Sequence, residues 1–166
     1  MAIQTTTHDD ILRHHAPQPP EFVTIDEPTV QSGGSIWRGS FEPSDNLTIE
    51  LLALTASDGW VEVKWSKPTT TIGVQFNGDS NDGWARILVD GKELWTENTY
   101  GSRGNFRKYV ELSGLPQAPH TVRVEATGEA GTQGGGAHVT VSAFGWGAVS
   151  SAGQDSTIFM PVIMDK

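Results

Sequence analysis

The chain has 166 residues, of which 36% are apolar and 19% charged, with 19 glycines; a length and composition of this kind suit one turn-rich β domain better than a helical one. Its formal net charge of −9 excludes nucleic acid and anionic membrane surfaces as partners, because both need concentrated cationic side chains, and no apolar run is long enough for membrane insertion. The absence of cysteine excludes disulfides, thiolate metal sites and a cysteine nucleophile.

Residues 1–20 read as a flexible, polar N-terminal arm ending in Pro17, Pro19 and Pro20. It has neither the cationic start nor the apolar stretch of a signal peptide. His14 and His15 are adjacent and would point apart on a helix, so with His8 they make a poor zinc site. Residues 21–166 read as a single domain.

From Phe22 onward, strand signals dominate. Phe22–Ile25 is a first strand closed by Pro28, and Ser35–Phe41 a second, followed by a turn at Pro43-Ser44-Asp45-Asn46. Leu47–Leu54 is apolar and reads as a strand from its neighbours. Trp60–Trp65, Ile72–Asn77 and Trp84–Asp90 alternate with period 2, as do the runs around Val122, Val124 and Ala126 and around Val139, Val141 and Ala143. Repeated alternation over short segments is the pattern of antiparallel sheets with one buried face, and two such sheets facing each other make a β-sandwich. Asp90-Gly91 marks a tight hairpin. Gly114-Leu115-Pro116 and Ala118-Pro119 mark a connection, and Gly128–Gly136 a loop. The tail, Thr157–Met164, contains Pro161 and is expected at a sheet edge, since proline cannot donate to a central ladder.

Two runs carry a family likeness: Gly83-Trp84-Ala85-Arg86-Ile87-Leu88-Val89-Asp90-Gly91, and the later Leu115, Pro119-His120-Thr121-Val122-Arg123-Val124 and Thr127-Gly128. Together with an intervening aromatic, Tyr100 or Phe106, and with Trp65 and Phe76 at core positions, they resemble the galactose-binding-like β-sandwiches, or jelly rolls, of many carbohydrate-binding modules. The resemblance covers about Trp60 to Trp146. It implies an all-β antiparallel jelly roll, a non-catalytic, lectin-like role and an oligo- or polysaccharide partner, with an extracellular or cell-surface location. The family usually has glycine before its "H-T" pair, where this chain has Ala118-Pro119-His120. His120 reads as structural, with no triad partners in sight.

Sugar rings present apolar C–H faces that stack on flat aromatics, while their rims hydrogen-bond to polar neighbours. Of the six tryptophans, Trp65 falls on the core face and Trp146 reads as packing. Trp60, Trp84, Trp95 and Trp37 remain as ligand-binding candidates, and Trp84 stands out because Arg86 shares its face. The loop residues Tyr100, Arg103 and Asn105 are further candidates.

The oxygen-rich run from Asn77 to Gly83 is the candidate metal site. Asp79, Asn81 and Asp82 would hold a structural calcium ion of the kind several galactose-binding-like modules carry. Against an EF-hand, its glycine comes one place late and Leu88 stands where the bidentate acid belongs; an ordinary Asn/Asp/Gly turn is the alternative. No nucleophile elbow, phosphate loop or HExxH motif occurs, so no enzyme is expected. The second functional reading is a structural or assembly domain of a surface, appendage or phage complex, self-associating through the arm or the C-terminal strand.

Overall fold

The computed structural model describes residues 21–44, 47–101, 106–133, 135–147 and 159–160; the expected arm at residues 1–20 lies outside them. Ten strands are described: β1 (Glu21–Thr24), β2 (Val30–Gly33), β3 (Ile36–Ser44), β4 (Leu47–Leu54), β5 (Trp60–Gly78), β6 (Gly83–Val89), β7 (Lys92–Asn98), β8 (Phe106–Ala130), β9 (Val139–Trp146) and β10 (Phe159–Met160). The pairing is antiparallel throughout, apart from β10 on β8 and an isolated bridge between Asp82 and His138.

Hydrogen bonding runs without a break in the order β3-β4-β9-β5-β8-β6-β7, because β5 and β8 each serve two layers. Their outer halves, around Trp60–Trp65 and His120–Ala130, pair with β2 and β6 in one layer. Their inner halves, around Thr71–Gly78 and Phe106–Ser113, pair with each other in the other layer, with β5 beside β9. Between the halves the β5–β8 register slips twice, at Trp65/Thr69 and at Thr69/Thr71. Bends and bulges of this kind are how a strand crosses from one sheet to its partner.

This corrects three sequence expectations. Trp60–Trp65 and Ile72–Asn77 are parts of one bent strand, and residues 114–119 are the bend of β8 rather than a connection. Gly114 takes the bend at φ 78°. The strand also runs through Gly128 to Ala130, into the span read as a loop. The expected Asp90-Gly91 hairpin is present, with φ values of 52° and 80°, the left-handed pair that a type I′ turn requires. β2 was not anticipated.

The core lies between the layers. Val61, Val63, Val122, Val124, Ile87 and Val89 face Leu52, Leu54, Ile72, Val74, Phe76, Val110 and Val141 in a single buried cluster. Trp65 stacks on Trp146 at 4.5 Å and 8°, closing one part of it. The alternation of β9 changes phase midway, because Gln75 pairs with Ala143 while Phe76 pairs with Val141. Ser142 is the extra residue of this bulge. Beyond it Phe144 and Trp146 turn inward, and Ala143, expected in the core, is half-buried on the other face.

Candidate functional site: a cleft on the outer face of the β3-β4-β9 layer

β3 pairs with β4 so that Trp37 lies opposite Ala53 and Gly39 opposite Leu51. β4 pairs with β9 so that Ala53 lies opposite Thr140. A row Trp37–Ala53–Thr140 therefore crosses three strands on the face turned away from the core. The small residues in its centre leave a depression, and the Trp37 indole stands at its side.

The indole is held over Gly39. A Cβ at residue 39 would lie 2.0 Å from Trp37 Cη2, so only glycine lets the ring lie down on the strand. Trp37 remains 55% exposed, unusual for so large an apolar ring. The depression is a cleft of about 460 Å³. Its polar lining includes Ser40, Asn77, Asp79, Asn81, His138 and Thr140, and its apolar lining includes Phe41 and Leu51.

The polar wall is built by the turn between β5 and β6. Asp79 Oδ1 accepts a hydrogen bond from the Asn81 amide at 2.7 Å, an Asx turn. His138 N donates to Asn81 O at 3.1 Å, and Gly83 N donates to His138 O at 2.7 Å, locking the turn to the start of β9. The Gly101 amide donates to Asp79 O at 3.0 Å, which ties the Tyr100 loop to the same turn.

Asn77 is buried in the cleft wall. Its Oδ1 accepts from Ser142 Oγ at 2.6 Å, whereas its Nδ2 has no acceptor among the described residues. A buried donor left unpaired costs stability. Asp82 lies behind the wall, fully buried. Its two oxygens accept from Thr140 N and Thr140 Oγ1, both at 3.2 Å. Burial, reinforced by the charge of Asp79, pushes its carboxyl up to about 7 against the opposing Thr140 hydrogen bonds.

The sequence candidates divide between several places. Trp37 stands in the cleft, with Asp79 and Asn81 on its wall. Trp60, Trp84 and Arg86 are half-buried on the outer face of the other layer, where Trp60 and Arg86 both pair across to Glu125. Trp84 and Arg86 do share a face, as expected, but the guanidinium is committed to Glu125 at 2.6 Å and lies 3.8 Å from Glu93. Arg123 covers the Trp60 ring at 4.2 Å. Trp95 is turned toward the core, stacked on Phe76 at 5.4 Å with the Lys108 ammonium 5.1 Å from its ring. Tyr100 is half-buried, and Arg103 and Asn105 lie outside the described residues.

For calcium, Asp79, Asn81 and Asp82 are adjacent as expected, yet Asp82 is engaged by Thr140 rather than turned to a common centre. No group of three His, Cys, Asp or Glu converges on a cation position among the described residues. Asn77, His138 and Thr140 were not singled out from sequence. Alternation alone marked Thr140 as facing away from Val139 and Val141.

No protein-family model matches the chain, and no curated protein sequence matches it either. Solved structures do. The CBM36-1 domain of a multidomain xylanase from the hindgut metagenome of Trinervitermes trinervoides aligns with a TM-score of 0.52 at 14% identity, over 79% of this chain and 98% of that domain. A family 35 carbohydrate-binding module from Clostridium thermocellum aligns with a TM-score of 0.52 at 17% identity, over 75% and 96%. A CBM36 module in complex with calcium and xylotriose gives 0.50 at 16% identity, over 77% and 99%. A catalytic domain of a GH87 α-1,3-glucanase in complex with nigerose gives 0.54 at 13% identity, but this chain spans only 29% of its length. The chain thus has the antiparallel β-sandwich fold of carbohydrate-binding modules.

Proposed function

We propose that the protein is a non-catalytic carbohydrate-binding module whose glycan lies in the Trp37 cleft. The observation that carries this reading is the exposed Trp37 indole laid flat on Gly39, at the side of a cleft with a polar wall. A sugar ring stacks its C–H face on such an indole and offers hydroxyls to the polar wall. In this reading the ligand lies on a different layer from Trp84 and Arg86, whose guanidinium is already paired with Glu125.

Position also speaks against hydrolysis. Glycoside cleavage needs two carboxyl groups flanking the bond. Among the described lining residues Asp79 is the one carboxylate, and Asp82, despite its raised pKa, is fully buried behind the wall. The neighbours of the same fold and similar length are named as binding modules, which supports the same reading. A polysaccharide ligand implies work outside the cell or at its surface.

Calorimetric titration against a panel of soluble polysaccharides tests the proposal. Saturable binding to at least one member is expected, weakened about tenfold or more by Trp37→Ala and retained by Trp84→Ala. Absence of binding to every member, or a Trp37→Ala variant that binds as the wild type does, would overturn it. The calcium candidate enters the same experiment: binding that requires added calcium and is abolished by chelator would show that a cation takes part, with Asp79 and Asn81 as its candidate ligands.

A further inference from the structure

The geometry points to a cleft that takes uncharged glycan chains and turns away uronate- or sulfate-bearing ones, with Asp79 as the residue that sets the preference. This rests on the reading of the cleft as a glycan site.

Two features of the Asp79 wall carry it. The first is charge. Asp79 is the one carboxylate on the described lining, and that lining holds no Lys or Arg. The Asn81 amide fixes the Asp79 carboxylate through Oδ1 at 2.7 Å, so the acid is part of the wall rather than a swinging side chain. An anionic sugar substituent entering here meets a fixed like charge and no lysine or arginine counter-ion, which is the repulsive half of specificity.

The second is hydrogen-bond polarity. The Asp79 carboxylate is an acceptor on the cleft wall. A sugar hydroxyl donates to it, whereas a carboxylate or sulfate ester has no proton to give.

The test is a set of paired titrations at fixed pH and low salt. A neutral α-glucan, a neutral β-glucan and a xylan are each compared with a carboxylated derivative of the same backbone. The wild type is expected to favour the neutral member of any bound pair by about tenfold or more, with the gap narrowing as salt is added. Asp79→Asn keeps the oxygen that accepts from Asn81 and removes the charge, so the neutral-to-acidic ratio is expected to collapse toward one; Asp79→Ser serves if the Asn variant melts early. Equal or tighter binding of the acidic member by the wild type, or a ratio that both charge-removing variants leave unchanged, overturns this inference while leaving the glycan site standing. Failure of every polysaccharide, neutral and acidic alike, overturns the glycan site itself.

Discussion

His120 Nδ1 lies 2.7 Å from Asp90 Oδ2, while its Nε2 faces the carbonyls of Pro116 at 2.9 Å and Thr69 at 3.2 Å. The ring thus pins the β6–β7 hairpin, through Asp90, to the bends of β5 and β8. Both ring nitrogens face acceptors, an arrangement suited to the imidazolium.

Burial works to lower the His120 pKa but is outweighed by the hydrogen bonds to Asp90 and Pro116, so the net direction is upward. Asp90 moves down, chiefly because the Thr121 amide donates to it, with His120 adding to the effect against a desolvation cost. A histidine raised on folding contributes stability that is complete below its unfolded pKa and is lost as pH rises through its folded one. Asp90 contributes above its unfolded pKa and fades as pH falls through its folded one. Thermal melts are therefore expected to show this clamp at full strength between the two and weaker on the alkaline side. Asp90→Asn keeps a residue that tolerates positive φ and should flatten the His120 dependence. His120→Ala should cost about 1–3 kcal/mol. An unchanged alkaline slope in Asp90→Asn would refute the clamp.

Asp82 acts in the same direction by a different route. Its carboxyl is raised to about 7 by burial and by Asp79, so ionising it opposes folding. The penalty is absent below the unfolded pKa near 4, grows as pH rises, and is complete above about 7. Asp82→Asn retains an oxygen for Thr140 and should remove this dependence, raising the melting temperature most at mildly alkaline pH. The gain is on the order of a few kcal/mol. Melts at acid and alkaline pH that shift by the same amount in the variant would contradict this.

Gly39 is expected to matter for binding and little for folding. Gly39→Ala puts a methyl where the Trp37 ring lies. Because the ring is exposed, it can swing aside without opening a cavity. Affinity for a bound glycan should fall about tenfold while the melting temperature stays close to that of the wild type, as read by calorimetry and a thermal melt on the same sample.

The Trp65–Trp146 stack should behave in the opposite way. Trp146 is buried and Trp65 packs on it from the edge of the core. Trp146→Ala should cost about 3–5 kcal/mol and Trp65→Ala less, as measured by chemical denaturation, with glycan binding of the folded fraction unchanged.

Much of the fold is legible in the residues. The period-2 runs on β5, β6 and β9 mark the buried valines correctly, and Asp90-Gly91 marks its turn. Reading fails where register slips. The bulge opposite Gln75–Phe76 turns Phe144 and Trp146 inward, so strict alternation misplaces Ala143. On β7, Ile87 pairs with Trp95 but Leu88 with Glu93, leaving Leu94 as an extra residue in the hairpin that carries Trp95. The cleft is less legible for a related reason. Trp37 is visible as an aromatic, but its platform depends on Gly39 beneath it and on Ala53 and Thr140, which come from strands distant in sequence. Asn77 looks like the first residue of a polar turn; that its side chain is buried against Ser142 follows only from the β9 bulge.

The passage of β5 and β8 through both layers has one more implication. In a sandwich whose sheets own separate strands, one sheet can loosen while the other persists. Here the two longest strands are shared, and the slipped registers at Trp65–Thr71 lie where they cross. The Trp37 cleft on one layer and the Trp60–Arg123–Glu125–Arg86 network on the other therefore stand or fall together, as one cooperative unit. A ligand that stabilises the cleft also holds shut a surface it never touches.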